Sequence, residues 1–250
     1  MNPLTLVTDG YERKARLYPA LVLVVPVLIT IIAISAAKLS VFQSFGTAAV
    51  GCGGAFLLSN LARDAGKRRE QALFASWGGL PSVAILRHRD TRLDAITKAR
   101  YHNKLGTLVK GTKPPTLAEE QADPTAADQT YNAWSTYLRV NTRDTKKYTL
   151  LFQENVGYGY RRNLWGLRPI GILTSALSCT IAADWCYQSY RTTGAVREEI
   201  AGASLFTLVF LLLWIFRFTA GWVRVPADAY AERLAETIET MGAKAAAAKR

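Results

Sequence analysis

Along its length the chain sorts apolar and charged residues into alternating blocks instead of mixing them at a helix or strand period. Four stretches are nearly free of charge, and charge crowds between them. A soluble helix would carry a polar face at a period of about 3.6 residues, so this segregation predicts membrane-spanning helices. The first stretch runs from about Tyr18 to Ala37, long enough to cross a hydrocarbon core of about 30 Å as a helix. Pro26 inside it predicts a kink of the kind membrane helices tolerate. Arg13, Lys14 and Arg16 precede it, as in a secretory signal peptide, but the length of the run and the apolar block close behind favour a retained span.

The second stretch, Phe45 to about Leu61, is shorter and glycine-rich. Gly46, Ala49 and Gly53 lie at spacings that let two helix backbones approach. The third, about Ile170 to Tyr187, sets Gly171, Ser175, Cys179 and Ala183 at strict four-residue intervals, a stripe read as a helix-packing seam and as the basis of a homo-oligomer. Trp185, Tyr187 and Tyr190 follow as an interfacial aromatic belt. The fourth, Ile200 to Val223, contains the apolar run LFTLVFLLLWIF.

Between the second and third stretches the pattern turns helical and amphipathic. The basic run ARDAGKRREQ extends the second helix out of the bilayer, and Gly78, Gly79 and Pro81 then break it and begin an extended stretch. Thr91 and Asp94 open a helix that runs to about Val109. GTKPPTLAEEQADPT reads as a loop. Asp123 and Pro124 start a further helix with Tyr131, Trp134 and Leu138 on its apolar face. A last helix from about Thr145 shows Tyr148, Leu151, Phe152 and Val156 on one stripe, and ends in GYGYRRNLWGLRP at the membrane surface, where alternating Tyr, Trp and Arg act as an anchor. After the fourth stretch Pro226 interrupts the helix, and Tyr230, Leu234, Ile238 and Met241 define an amphipathic tail. The expected fold is an all-α integral membrane protein with four transmembrane helices and a mostly helical cytoplasmic domain inserted between helices 2 and 3. Its parts are an N-terminal segment (1–17), a first hairpin (18–61), a basic helical domain (62–168), a second hairpin (169–223) and a tail (224–250).

Charge fixes the orientation. The net charge is +12, from 31 Lys and Arg against 19 Asp and Glu. With both termini cytoplasmic, the outer loops hold only Lys38, Arg191 and Arg197, and Arg217 falls within the last apolar block. Basic residues concentrate on the cytoplasmic side of membrane proteins, so the termini face in, at an inner (plasma) membrane. In a soluble chain this charge would point to nucleic acid. Here attraction to the bilayer's anionic lipid headgroups accounts for it, and a nucleotide or nucleic acid is the disfavoured partner.

No catalytic or metal-binding pattern emerges, and no cofactor is expected. His88-Arg89-Asp90 has the letters of a kinase catalytic loop, but Ala95 stands where that loop needs Asn. Gly157 and Gly159 begin a dinucleotide-type run that Arg162 interrupts. Two features retain functional weight. One is the cluster Trp77, Gly78, Gly79, Leu80 and Pro81 with Arg87, His88, Arg89, Asp90, Arg92, Arg100, Tyr101 and His102, whose guanidinium groups beside a glycine turn are a candidate anion site. The other is charge at the membrane: Arg217, close enough to the inner interface to snorkel, and Asp184, near the outer boundary.

The stretches WGGLPS, LRHRD and ARYH, set between two pairs of spans, resemble a group of small uncharacterised bacterial membrane proteins. The resemblance covers about residues 70–105 and the topology. Some proteins of that layout are thought to act as membrane effectors in anti-phage defence, and the group supplies no catalytic residues. The expected function is accordingly a non-enzymatic, oligomerising membrane protein whose cytoplasmic domain receives a protein partner or an anionic signal and whose spans perturb the membrane. A passive anchor for a soluble partner is the alternative. A membrane enzyme using His88, Asp90 and His102 is the third reading.

Overall fold

A computed structural model describes residues 10–34 and 54–241. Among them the regular structure is all helical. Helix α1 spans Gly10–Ile34 and includes a π-helical turn at Arg13–Leu17. It is followed by α2 (Gly54–Ser76), the single turn α3 (Pro81–Ala84), α4 (Ala95–Leu108), α5 (Leu117–Ala122) and α6 (Pro124–Asn141). Then come α7 (Thr149–Thr193), α8 (Glu198–Arg217, closing in a π-helical turn) and α9 (Ala220–Glu236), with a 3₁₀ turn at Thr237–Thr240.

Three described helices, α1, α7 and α8, are long and apolar enough to cross a membrane, where the hydropathy pattern predicts four. The difference lies in the second block. Residues 45–53, with the packing residues Gly46, Ala49 and Gly53, fall outside the described residues. What is described of it, α2, is apolar for about two turns and then carries Arg63, Asp64, Lys67, Arg68, Arg69 and Glu70.

The chain forms two compact units, one from residues 1–71 and 156–223, the other from 72–155 and 224–250. In the first, α7 is the element the others meet. A side-chain carbon added at Gly166 would fall 2.4 Å from the Gly66 nitrogen on α2, and one added at Gly159 would meet Ala15 and Tyr11 of α1 at 3.1 Å. These glycines are contact points between helices. Helix α7 runs unbroken through GYGYRRNLWG and past Pro169, where the sequence pattern predicts a helix ending at the membrane surface and a separate span.

The small-residue stripe meets a neighbour within the chain over only part of its length. Gly171, Ser175, Ser178 and Ala182 are buried, whereas Cys179 is half-buried and Ala183 exposed. Strict four-residue steps advance about 40° further than a whole turn each time, so such a row winds off the face that meets a neighbour. The buried row steps by four and three instead. Its partner is α8 of the same chain: the Trp214 ring lies against Gly171, and Cys186 Sγ meets Ser204 Oγ at 3.2 Å. Helix α8 in turn packs along α1.

Helix α8 ends at Arg217, short of the predicted Val223. The Phe218 amide donates to Leu213 and the Thr219 amide to Arg217, which breaks α-helical register before α9 begins. Arg217 thus sits at a helix end, exposed, with its guanidinium 5.1 Å from the Trp222 ring centre. Pro226, expected to interrupt the helix, is buried within α9.

The second unit closes around Tyr101, Leu105, Tyr131, Trp134 and Leu138 together with Leu234, Ile238 and Met241 of the tail. The tail's apolar face is therefore covered by the chain's own helices. Asp94 caps α4 by accepting from the Thr97 amide, and Asp123 caps α6 ahead of Pro124. Two expectations change here. The segment after Gly79 is a helical turn followed by bends, not an extended stretch, and the expected loop at 111–125 contains α5, held by a capping box between Thr116 and Glu119.

The close approach of α2 and α7 yields a direct test. Gly166→Val forces two backbones apart, a change that typically costs about 1–3 kcal/mol. Gly202, also helical, has no atom within 4 Å of an added carbon. Thermal unfolding in detergent should show a clear loss for the first variant and none for Gly202→Ala.

Candidate functional site

The second unit brings the sequence-predicted cluster together and pairs it with acids. Helix α2 stops at the Gly78–Gly79 turn, where both residues have positive φ (75° and 128°). Gly79 sits against the Arg87 guanidinium, so an added side chain there would collide with it as well as strain the backbone. Arg87 is buried. It donates to the Gly78 carbonyl at 2.7 Å and, through Nε and NH2, to both carboxylate oxygens of Asp128 on α6 at 2.8 and 2.7 Å. This bidentate geometry is the strong form of the arginine–carboxylate pair. Trp77 stacks at a tilt on Phe74, their ring centres 6.1 Å apart.

Glu120 on α5 holds the next residues. It is buried and accepts from the His88 amide at 2.7 Å, the Arg89 amide at 3.4 Å and the Tyr131 hydroxyl at 2.8 Å. Burial alone would oppose its ionisation, but these donors hold the carboxyl below its ordinary range. Burial and the same carboxylate push the Tyr131 hydroxyl strongly upward, so Tyr131 remains a donor. Arg92 grips Asp90 and reaches Asp228 on α9 at 2.7 Å, while Arg100 pairs with Glu239. Lys98, also buried, donates to the backbone carbonyls of Arg87 and Asp90. The Arg89 side chain is exposed.

The two histidines meet edge to face with ring centres 4.9 Å apart. Each turns Nε2 toward a carbonyl, His88 to Pro115 at 2.8 Å and His102 to Leu86 at 2.7 Å. A carbonyl only accepts, so Nε2 carries the proton in both rings. Asp90, the third member of the proposed catalytic set, is engaged by Arg92. A cleft of about 340 Å³ opens beside them, lined by His88, Asp90, Thr91, Leu93, Lys98 and Ala95. The guanidinium groups read as an anion site are therefore, for Arg87, Arg92 and Arg100, partners of carboxylates from α6, α9 and the 3₁₀ turn.

The first unit contains a polar cluster where the sequence pattern predicts an interfacial anchor. Arg162 is buried and donates to Glu70 at 2.7 Å and to Asn163 Oδ1. Tyr158 donates to the same Glu70 oxygen at 2.9 Å. Burial works against ionisation of Glu70, but Lys67 and Arg162 outweigh it and hold the carboxyl below its usual range. Asn163 donates to the Ala15 carbonyl at 2.7 Å, Arg161 to the Trp222 carbonyl at 3.0 Å, and Arg168 to the carbonyls of Trp214 and Ile215 at 3.0 and 2.8 Å. Asp184 and the exposed end of the small-residue stripe lie apart from this cluster, on the last turns of α7.

No protein-family model matches the chain, and neither the curated proteins nor the solved structures provide a match.

The buried histidine makes the second unit acid-sensitive. Burial pushes the His102 imidazole below its ordinary value of 6.5, and His88 and Lys98 add to this against the Leu86 carbonyl. A neutral folded imidazole gives its full stabilisation above 6.5. The contribution declines as pH falls through that value, because the unfolded chain takes up the proton first. The wild-type melting temperature should drop between pH 7 and pH 5. His102→Gln keeps a donor for the Leu86 carbonyl and should flatten that part of the profile; an unchanged slope would remove His102 as the cause.

Proposed function

We propose that this chain is a four-span membrane protein that anchors a folded, basic helical module on the cytoplasmic side, where the module binds a protein partner next to anionic lipid. Two sets of contacts support the topology. The second unit builds one core from residues 72–155 and from the tail after α8. Both segments must then lie on one side of a bilayer, with α7 and α8 carrying the chain away and back. In the first unit Asn163 meets both Ala15 and Gly66. The chain leaves that level along apolar α1 and has returned to it by Gly66, as an outward and a return crossing over residues 18–61 require. The bias of Lys and Arg toward these segments supports an inward-facing module.

Binding is favoured over catalysis or pore formation by where the polar groups are engaged. Arg87, Arg92 and Arg100 of the 77–102 cluster are matched to carboxylates within the fold. Of the small residues read as an oligomer seam, Gly171 faces Trp214 of the same chain and Ser175 is buried. The exposed Arg89, Lys110, Arg143 and Lys146 supply the basic surface. Single cysteines in a cysteine-free background test the reading. Ala118→Cys should resist a membrane-impermeant maleimide in intact cells, and Val196→Cys should react. Expression should leave the membrane potential unchanged. Outside labelling of residue 118 would overturn the topology, and depolarisation would favour a membrane-perturbing effector.

A further inference from the structure

The outer end of the α7–α8 hairpin contains a cleft that the anchoring role does not use. It measures about 530 Å³ and is lined by Asp184, Trp185, Gln188, Thr192, Arg197 and Ile200, among others. Its shape is set by a tight turn: Gly194 has φ of 74°, and the Ser189 and Thr193 hydroxyls both donate to the Ala195 carbonyl at 3.0 Å. Ile200 lies buried at 1% exposure beneath it. The side chains of Asp184 and Gln188 engage no other residue among those described. Arg197 faces only Glu199, at 3.6 Å, an exposed pair of little strength in water.

The cleft thus presents a carboxylate, an amide, an indole and a guanidinium within one small volume. That set complements a ligand bearing both an ammonium and a phosphate. Asp184 and the Gln188 carbonyl oxygen accept from the ammonium, Trp185 offers it a ring face, and Arg197 donates to the phosphate. The surroundings point to a lipid as the carrier. With α7 and α8 as spans, Trp185, Tyr187 and Tyr190 fall at the level where aromatic side chains meet headgroups. Apolar side chains exposed along the same two helices, Leu177 and Ile181 on α7 and Leu205 and Leu208 on α8, leave a surface for acyl chains.

We infer that this cleft binds the headgroup of an outer-leaflet phosphatidylethanolamine. The inference rests on the membrane-spanning reading above and adds a ligand to it. The same groups set an order among lipids. A trimethylammonium keeps its attraction to Trp185 but has no hydrogen to donate to Asp184, so phosphatidylcholine binds less well. Phosphatidylglycerol brings a net negative charge and no cation to the Asp184 carboxylate, and binds least.

The test is lipid retention measured by native mass spectrometry, on full-length protein in detergent offered equal amounts of the three lipids with identical acyl chains. Phosphatidylethanolamine should be retained about tenfold over phosphatidylglycerol, the scale of one set of charge-assisted hydrogen bonds. Asp184→Asn should erase the preference over phosphatidylcholine, and Arg197→Gln should weaken all three. Gln188→Leu, which leaves both charges in place, provides a second reading of the ammonium contact should Asp184→Asn fold poorly. Arg191→Gln, on the same turn but outside the cleft lining, should behave as wild type. Equal retention of the three lipids, or an unchanged preference in both Asp184→Asn and Gln188→Leu, overturns the site while the spanning reading stands. Equally tight binding of soluble glycerophosphoethanolamine overturns the lipid assignment. A chain that stays soluble without detergent and retains no lipid fails the spanning reading itself.

Discussion

A backbone carbonyl deprived of its α-helical amide is costly wherever water is scarce, and the first unit has three places where a proline or a register break removes that amide. Pro19 cannot supply the amide that α-helical register would send to the Ala15 carbonyl. Pro226 cannot supply the one for Trp222. At the end of α8 the amides of Phe218 and Thr219 turn to Leu213 and Arg217, leaving Trp214 and Ile215. Each of these carbonyls receives a donor from eight residues of α7: Asn163, Arg161 and Arg168 respectively. The polar residues in the middle of α7 therefore secure neighbouring helices, and the glycines beside them let those helices come close enough to be reached.

The same logic governs the second unit with charge in place of the backbone. A buried guanidinium or carboxylate left alone is strongly destabilising, whereas a matched pair with good hydrogen bonds is tolerated. Arg87 with Asp128, and Arg92 with Asp90 and Asp228, join segments far apart in sequence, including the tail after α8. Glu120 does so through two amides and a phenol. A strongly basic composition thus divides into arginines that build the fold and others, Arg89 among them, that face solvent. Only the second kind is available to a partner or a lipid surface.

Local chemistry was legible in the sequence. The cap at Asp123 and the buried faces of α6 and the tail follow from spacing alone; the pattern at Thr91 and Asp94 marks the start of α4 one turn early, since Asp94 itself is the cap. The capping box at Thr116 and Glu119 was equally available and was hidden by the prolines around it. Tertiary effects were not legible. A glycine that breaks an isolated helix and one that seats a neighbouring helix are the same letter, so Gly159 and Gly166 read as an ending. Arginines near a predicted interface look like anchors until the carbonyls and carboxylates that they meet are known. A strict four-residue row winds off the face that meets α8 over about three turns, which spacing on paper does not show. Of the candidate site, the basic residues were visible, but their acids lay as far as 139 positions away, as for Arg100 and Glu239.

The claim that α7 completes hydrogen bonds its neighbours cannot make is tested most directly by a double-mutant cycle between Arg161 and Pro226, measured as equilibrium unfolding in detergent. Alanine at 226 restores an amide in a helix that is α-helical on both sides of it, and so supplies the Trp222 carbonyl from within. Arg161→Ala should be costly in the wild-type background and much less so beside Pro226→Ala, with a coupling of about 1 kcal/mol or more. Strictly additive effects would contradict the account.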